Sequence, residues 1–216
     1  MKMIVSLIKK DFYLINWYVL FSIAVMIALP FFISSEIPEL SGFSTYVMTL
    51  VFALYMPLAS LSMAEMKYPK AAASVCATPY SRKLIVLSRY LFLILWYFIA
   101  LFCYSVLSII VPQITLLNLK EILYSLVLVS VALGAYLTLD YKFGYEKMKY
   151  LIMAVVLGTP VLLPRIAMFC AKHNFHFDFI SSIPDSANYC VLAATVVLVS
   201  FVSIQFSIKI YKTKEW

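Results

Sequence analysis

A chain of 216 residues that is 64% hydrophobic, 16% aromatic and 12% charged has too few polar side chains to cover its own surface in water. This excludes a lone soluble enzyme, a disordered protein and a nucleic-acid binder in free solution. The net charge of +7, from 17 Lys and Arg against 10 Asp and Glu, is therefore read first by its position along the chain.

The N-terminal segment 1–13, MKMIVSLIKKDFY, carries basic residues and a short apolar run with no small-residue cleavage site after it, so it is expected to be retained. Ile4, Val5, Leu7, Ile8 and Phe12 can share one helical face, with Lys2, Lys9, Lys10 and Asp11 toward the polar side. That pattern predicts an amphipathic helix lying in the membrane interface. A helix needs about 20 apolar residues to cross the hydrocarbon core. Six stretches meet that requirement: 14–34, 44–64, 84–111, 119–139, 148–169 and 187–209. The fold expected is an all-α integral membrane domain over 1–216. It has spans one and two in 14–64, a cytoplasmic loop at 65–83 and spans three and four in 84–139. A second loop at 140–147, spans five and six in 148–210 and a tail at 211–216 complete it.

Pro30, Pro57, Pro112, Pro160 and Pro164 fall inside or at the ends of these spans, where each removes a backbone donor. Gly158, Pro160 and Pro164 together mark the outer half of span five as the place for a broken helix. Span two carries Tyr46, Phe52, Tyr55 and Met56, adaptable apolar side chains that suit a greasy substrate path or plain lipid-facing packing.

The basic residues divide unevenly. Fourteen fall at the N-terminus, in 65–89, in 140–149 and in the tail, and three (Lys120, Arg165, Lys172) fall on the other side. This bias puts both termini in the cytoplasm of a plasma-membrane protein and accounts for the positive charge with no nucleic acid.

The 65–83 loop is the informative connector. Pro69 can open a helix, Lys70, Ala71, Ala72, Ala73, Ser74 and Val75 continue it with small residues, and Thr78-Pro79 stops it. After Tyr80, Ser81 can cap the next helix, which begins with Arg82 and Lys83. A short helix of small side chains can sit close against a partner surface, and its basic flank can pair with acidic groups there.

The search for chemistry within the chain is negative. There is no phosphate-binding loop, nucleophile elbow or zinc-protease motif. Cys76, Cys103, Cys170 and Cys190 match no metal pattern and read as small hydrophobes, with a Cys170–Cys190 disulfide conceivable. His173, His176 and Asp178 lie near one another without a helical frame, so no catalytic residue and no metal site is assigned. No ionisable residue falls in the middle of a span. Glu65, Arg89, Asp140 and Lys149 all sit at cytoplasmic ends. Ion-coupled carriers usually keep such a group near the midplane, so the driving energy is expected from outside the bilayer.

Several motifs resemble one family. Glu65 and Lys67, then Thr78, Pro79, Ser81 and Arg82, then Val86, Arg89, Tyr90 and Leu91, resemble an acid–lysine, Leu-Pro-x-Ser-Arg and Val-x-x-(Lys/Arg)-Tyr-Leu pattern of ABC-2-type membrane permeases, with Thr78 in place of the leucine. Phe143-Gly144-Tyr145-Glu146-Lys147 is similar to a second signature before span five, and Lys9-Lys10-Asp11 to a third. The resemblance implies a dimer of permeases, homomeric or with a paralogue, seated on separate ATPase chains that bind ATP and Mg. This chain would then be non-catalytic and hold no cofactor of its own. It implies docking through the 69–83 coupling segment and through Gly144, Tyr145, Glu146 and Lys147. The exported substrate would be an amphipathic peptide such as a toxin or bacteriocin. The alternative is a membrane-bound peptide-binding or immunity protein without transport.

Overall fold

The computed structural model describes residues 2–15, 17–36, 42–68, 81–172 and 185–213. Residues 69–80 of the expected coupling segment and the His173/His176/Asp178 group lie outside the described residues, and so do Cys76 and the side chain of Cys170. Among the described residues every regular element is a helix: α1 Lys2–Ile15, α2 Trp17–Glu36, α3 Phe43–Lys67, α4 Arg82–Ile110, α5 Leu119–Phe143, α6 Tyr145–Lys172 and α7 Asp185–Thr213. Five of them, α2 to α5 and the 188–212 part of α7, are long and apolar enough to cross a membrane. Their outer faces agree with that use. Trp17, Leu20, Phe32, Phe102, Val197 and Phe201 are each more than 60% exposed. A water-soluble monomer does not tolerate so large an apolar surface, whereas lipid covers it without cost.

The interior holds the polar groups, and nearly all of them bond to backbone or to each other. Ser22, Ser34, Ser60, Ser88 and Ser105 donate to carbonyls three or four residues back in their own helices. Other hydroxyls link helices. Tyr90 Oη meets Ser207 Oγ at 2.9 Å, Ser207 meets Thr138 Oγ1 at 3.1 Å, and Thr138 donates to the Gly134 carbonyl, so α4, α7 and α5 share one chain of bonds. At Gly134 the α5 and α7 backbones approach so closely that a Cβ would fall 2.8 Å from Ser203 Cβ. Glycine there lets the two helices pack.

Pro57 shows how the bundle accommodates an internal proline. The ring removes the N–H that would bond the carbonyl four residues back, at Ala53. The Trp96 indole Nε1 of α4 donates to that carbonyl at 3.0 Å. Ala53 and Trp96 are both almost fully buried, so no lipid or water can substitute. Trp96→Phe is expected to lower unfolding free energy by about 1–3 kcal/mol, the range for orphaning a buried acceptor plus a small cavity. Pro57→Ala in the Trp96→Phe background restores the helical donor and should recover part of the loss. Chemical unfolding of the three proteins in detergent checks this, and an equal loss in single and double variants would rule out the explanation.

Three expectations are corrected. Asp11 is 2% exposed and lies inward, while Val5 is 61% exposed. The inward stripe of α1 is Leu7, Asp11 and Ile15, at four-residue spacing. Burial of Asp11 follows from its partners, described below. The helix α6 runs unbroken through Gly158, Pro160 and Pro164. A proline forfeits one ladder bond and its flanking turns hold the rest. Cys190 is exposed, so it is not the buried hydrophobe expected.

Candidate functional site

Ionisable groups gather at one end of the bundle, the end that carries the 65–89 and 140–149 connectors. Arg89, 4% exposed, forms an ion pair with Glu65, joining the start of α4 to the end of α3. Asp11 of α1 is held by Lys10 Nζ at 3.2 Å. Glu65, Asp11 and Asp140 all act electrostatically on Arg89. Asp140, near the end of α5, accepts from Ser62 Oγ of α3 at 2.9 Å. Having given its proton there, Ser62 accepts from Tyr136 Oη at 3.1 Å. Four helices thus meet at one buried charge cluster.

The connectors next to it are anchored as well. The Ser81 side chain accepts from the Leu84 N–H at 3.4 Å and caps α4. Arg82 Nη1 donates to the Lys212 carbonyl at 2.7 Å, so this basic residue ties α4 to the end of α7. Gly144 has φ +78°, ends α5 and lets the chain turn directly into α6. Tyr145 is half-buried beside it. Burial first, and then Tyr55, Tyr18 and Asp140, raise its hydroxyl above the ordinary value. Glu146 and Lys147 are exposed on the first turn of α6. Lysines lie over aromatic rings at this same end: Lys9 over Tyr13, Lys67 over Tyr68, Lys142 over Phe143 and Lys149 over Tyr150, at 4.9–5.9 Å. Cation–aromatic pairs of this kind suit the lipid headgroup layer.

Away from the charged end, a cavity of about 290 Å³ lies between α3 and α5, with Met148 of α6 in its lining. Its walls are mostly aliphatic, with Leu50, Leu54 and Leu58 on α3 and Val129 and Leu133 on α5. Of the four side chains expected on a substrate path, Tyr55 lines it. Tyr46 is instead 1% exposed and packed edge-on against Tyr104, with ring centroids 5.0 Å apart. Phe52 and Met56 are partly buried and are not among the cavity's lining residues. The α5 wall was missed from sequence because leucine, valine and alanine carry no signal beyond hydropathy. Among the described residues no group of His, Cys, Asp or Glu could hold a metal ion.

Comparison with known proteins decides the class. The family model described as ABC-2 family transporter protein matches residues 6–212. The chain belongs to the ABC-2 transporter family. No curated protein and no solved structure matches it. As an ABC-2 protein with several membrane-crossing helices, it is a multi-pass membrane component of a transporter. ABC-2 membership also gives the charge cluster a context, because its Glu65 and Arg89 belong to the stretches that flank the 69–80 segment.

Proposed function

We propose that this chain is the transmembrane subunit of an ATP-driven exporter, working as a dimer on separate ATPase chains that bind ATP and Mg. The observation that carries the reading is the family match over nearly the whole chain. The placement of charge supports it: the buried ionisable groups lie at one end of the bundle, and none lies at mid-span among the described residues. Such a chain has no ion-coupled means of driving transport, so an external motor fits it. In this reading the charged end is cytoplasmic, α6 is the remaining span of a six-span layout and both termini are cytoplasmic. The 69–83 segment docks into the ATPase, with Gly144, Tyr145, Glu146 and Lys147 as a second contact. The substrate is an amphipathic or hydrophobic molecule, a toxin or antimicrobial peptide.

Affinity purification of the tagged chain, co-expressed with the ATPase encoded beside it, tests this. The expected result is a stable complex whose ATP hydrolysis rises on addition of an amphipathic peptide. Protection of cells against such a peptide with no ATPase present would instead favour a binding or immunity protein.

A further inference from the structure

We infer that α1 acts as a latch on the proline break of α3, and that its seating against α4 sets the shape of the α3–α5 cavity from a distance. The latch is a property of the chain itself and stands apart from the exporter reading.

α3 is fastened to α4 near both ends and in the middle. At one end the Tyr104 hydroxyl donates to the Gly42 carbonyl at 3.0 Å, just before α3 begins. At the other end Arg89 pairs with Glu65. In the middle the Trp96 indole donates to the Ala53 carbonyl at 3.0 Å. This middle fastening stands at the weakest point of α3, because Pro57 has no N–H to give that carbonyl. Prolines are where helices bend. With both ends held, losing the middle bond lets α3 flex at Pro57.

Phe12 of α1 reaches the middle fastening. Its ring packs against Trp96 with centroids 5.7 Å apart, and edge-on against Phe92 at 5.0 Å. Phe92 in turn stacks on Trp96 at an interplanar angle of 15°. Phe92 and Trp96 are both buried, so the indole has little room to turn while Phe12 is seated. A shift of α1 withdraws Phe12, frees space beside the indole and weakens its hold on Ala53. The residues around the joint are walls of the cavity: Leu54, Tyr55 and Leu58 line it on either side of Pro57. α3 packs closely along α2 and only sparingly on α5, so flexing at Pro57 meets little resistance across the cavity. α1 contributes none of the described lining residues. Its movement at the membrane interface reaches the cavity through two side chains, Phe12 and Trp96.

The test uses the full chain in lipid nanodiscs, with a trifluoromethyl reporter attached to Met56→Cys in a cysteine-free background and read by fluorine NMR. Met56 is partly buried, lies next to Pro57 and is not among the cavity's lining residues. Two resonances report the latched and released forms of α3, and their areas give the populations. Trp96→Phe should raise the released fraction about tenfold, the scale of one buried hydrogen bond. Phe12→Ala should raise it about fivefold, the scale of a lost aromatic pair, although Phe12 lies on another helix. Pro57→Ala added to either variant restores the ladder N–H and should return the spectrum to a single resonance. Leu137→Ala removes a fully buried side chain of α5 and should lower the unfolding midpoint without raising the released fraction. Elution profiles establish that each variant is folded. A wild-type spectrum in Phe12→Ala, or a second resonance that persists after Pro57→Ala, overturns the proposal, and so does an equal rise in Leu137→Ala. No ATPase or cargo takes part, so failure here is distinguishable from failure of the exporter reading.

Discussion

Arg89→Met is expected to be among the most destabilising single substitutions in this protein. Arg89 is 4% exposed, is paired with Glu65 and lies within the electrostatic reach of Asp11 and Asp140. Removing it takes away the ion-pair partner of Glu65 and a compensating charge near the buried Asp11 and Asp140. Breaking a buried pair from one side costs about 3–5 kcal/mol, because the remaining charge keeps its desolvation penalty without its partner. Against a total stability of about 5–15 kcal/mol, that is enough to empty much of the folded population. Glu65→Gln should cost far less, since the Glu65 side chain is 30% exposed and Asp11 and Asp140 still balance Arg89. Arg89→Lys should fall between the two, because a lysine keeps the charge but loses the planar fork that reaches several acceptors. Monodisperse yield and unfolding midpoints in mild detergent give the ranking. A midpoint for Arg89→Met equal to that of the wild type would mean that the cluster carries no net structural weight.

The same cluster shows where sequence reading reaches its limit. The membrane helices were legible because about 20 consecutive apolar residues have few other uses, and five of the six expected spans coincide with helices long and apolar enough to cross a membrane. The Ser81 cap and the Gly144 break were legible because each follows from local backbone chemistry. The inward turn of Asp11 was not, since its helical face looks polar from Lys9 and Lys10, and only the packing of α1 on α4 brings it toward Arg89. Trp96 serving the Ala53 carbonyl was invisible for the same reason, because 43 residues separate the pair. The family motif quoted Glu65 and Arg89 as separate letters, and the fold makes them one ion pair. Tyr46 looked like a substrate contact by type and proved to be a core residue by position.

Ala73→Glu should abolish association with the ATPase while leaving the permease folded. Ala73 sits at the centre of the small-residue run Ala71 to Val75, and the docking proposal needs those side chains small enough for close approach. A carboxylate placed there adds bulk and a desolvated charge with no partner. Losing even 3 kcal/mol at such a contact weakens binding more than a hundredfold, enough to remove the ATPase from a purification. Lys147→Glu, at the proposed second contact, should weaken the complex about tenfold or less, as exposed rim charges do. Arg82→Glu is a less clean probe, because Arg82 also donates to the Lys212 carbonyl and holds α4 against α7. Its loss of complex would mix a docking defect with a packing defect, and only the packing part should appear in the unfolding midpoint of the isolated chain. Comparing the two readouts separates them. Ala73→Glu is expected to move complex yield alone, and Arg82→Glu to move both. If Ala73→Glu retains full complex yield and full peptide-stimulated hydrolysis, the ATPase binds elsewhere. The exposed first turn of α6 at Glu146 and Lys147 then becomes the primary contact.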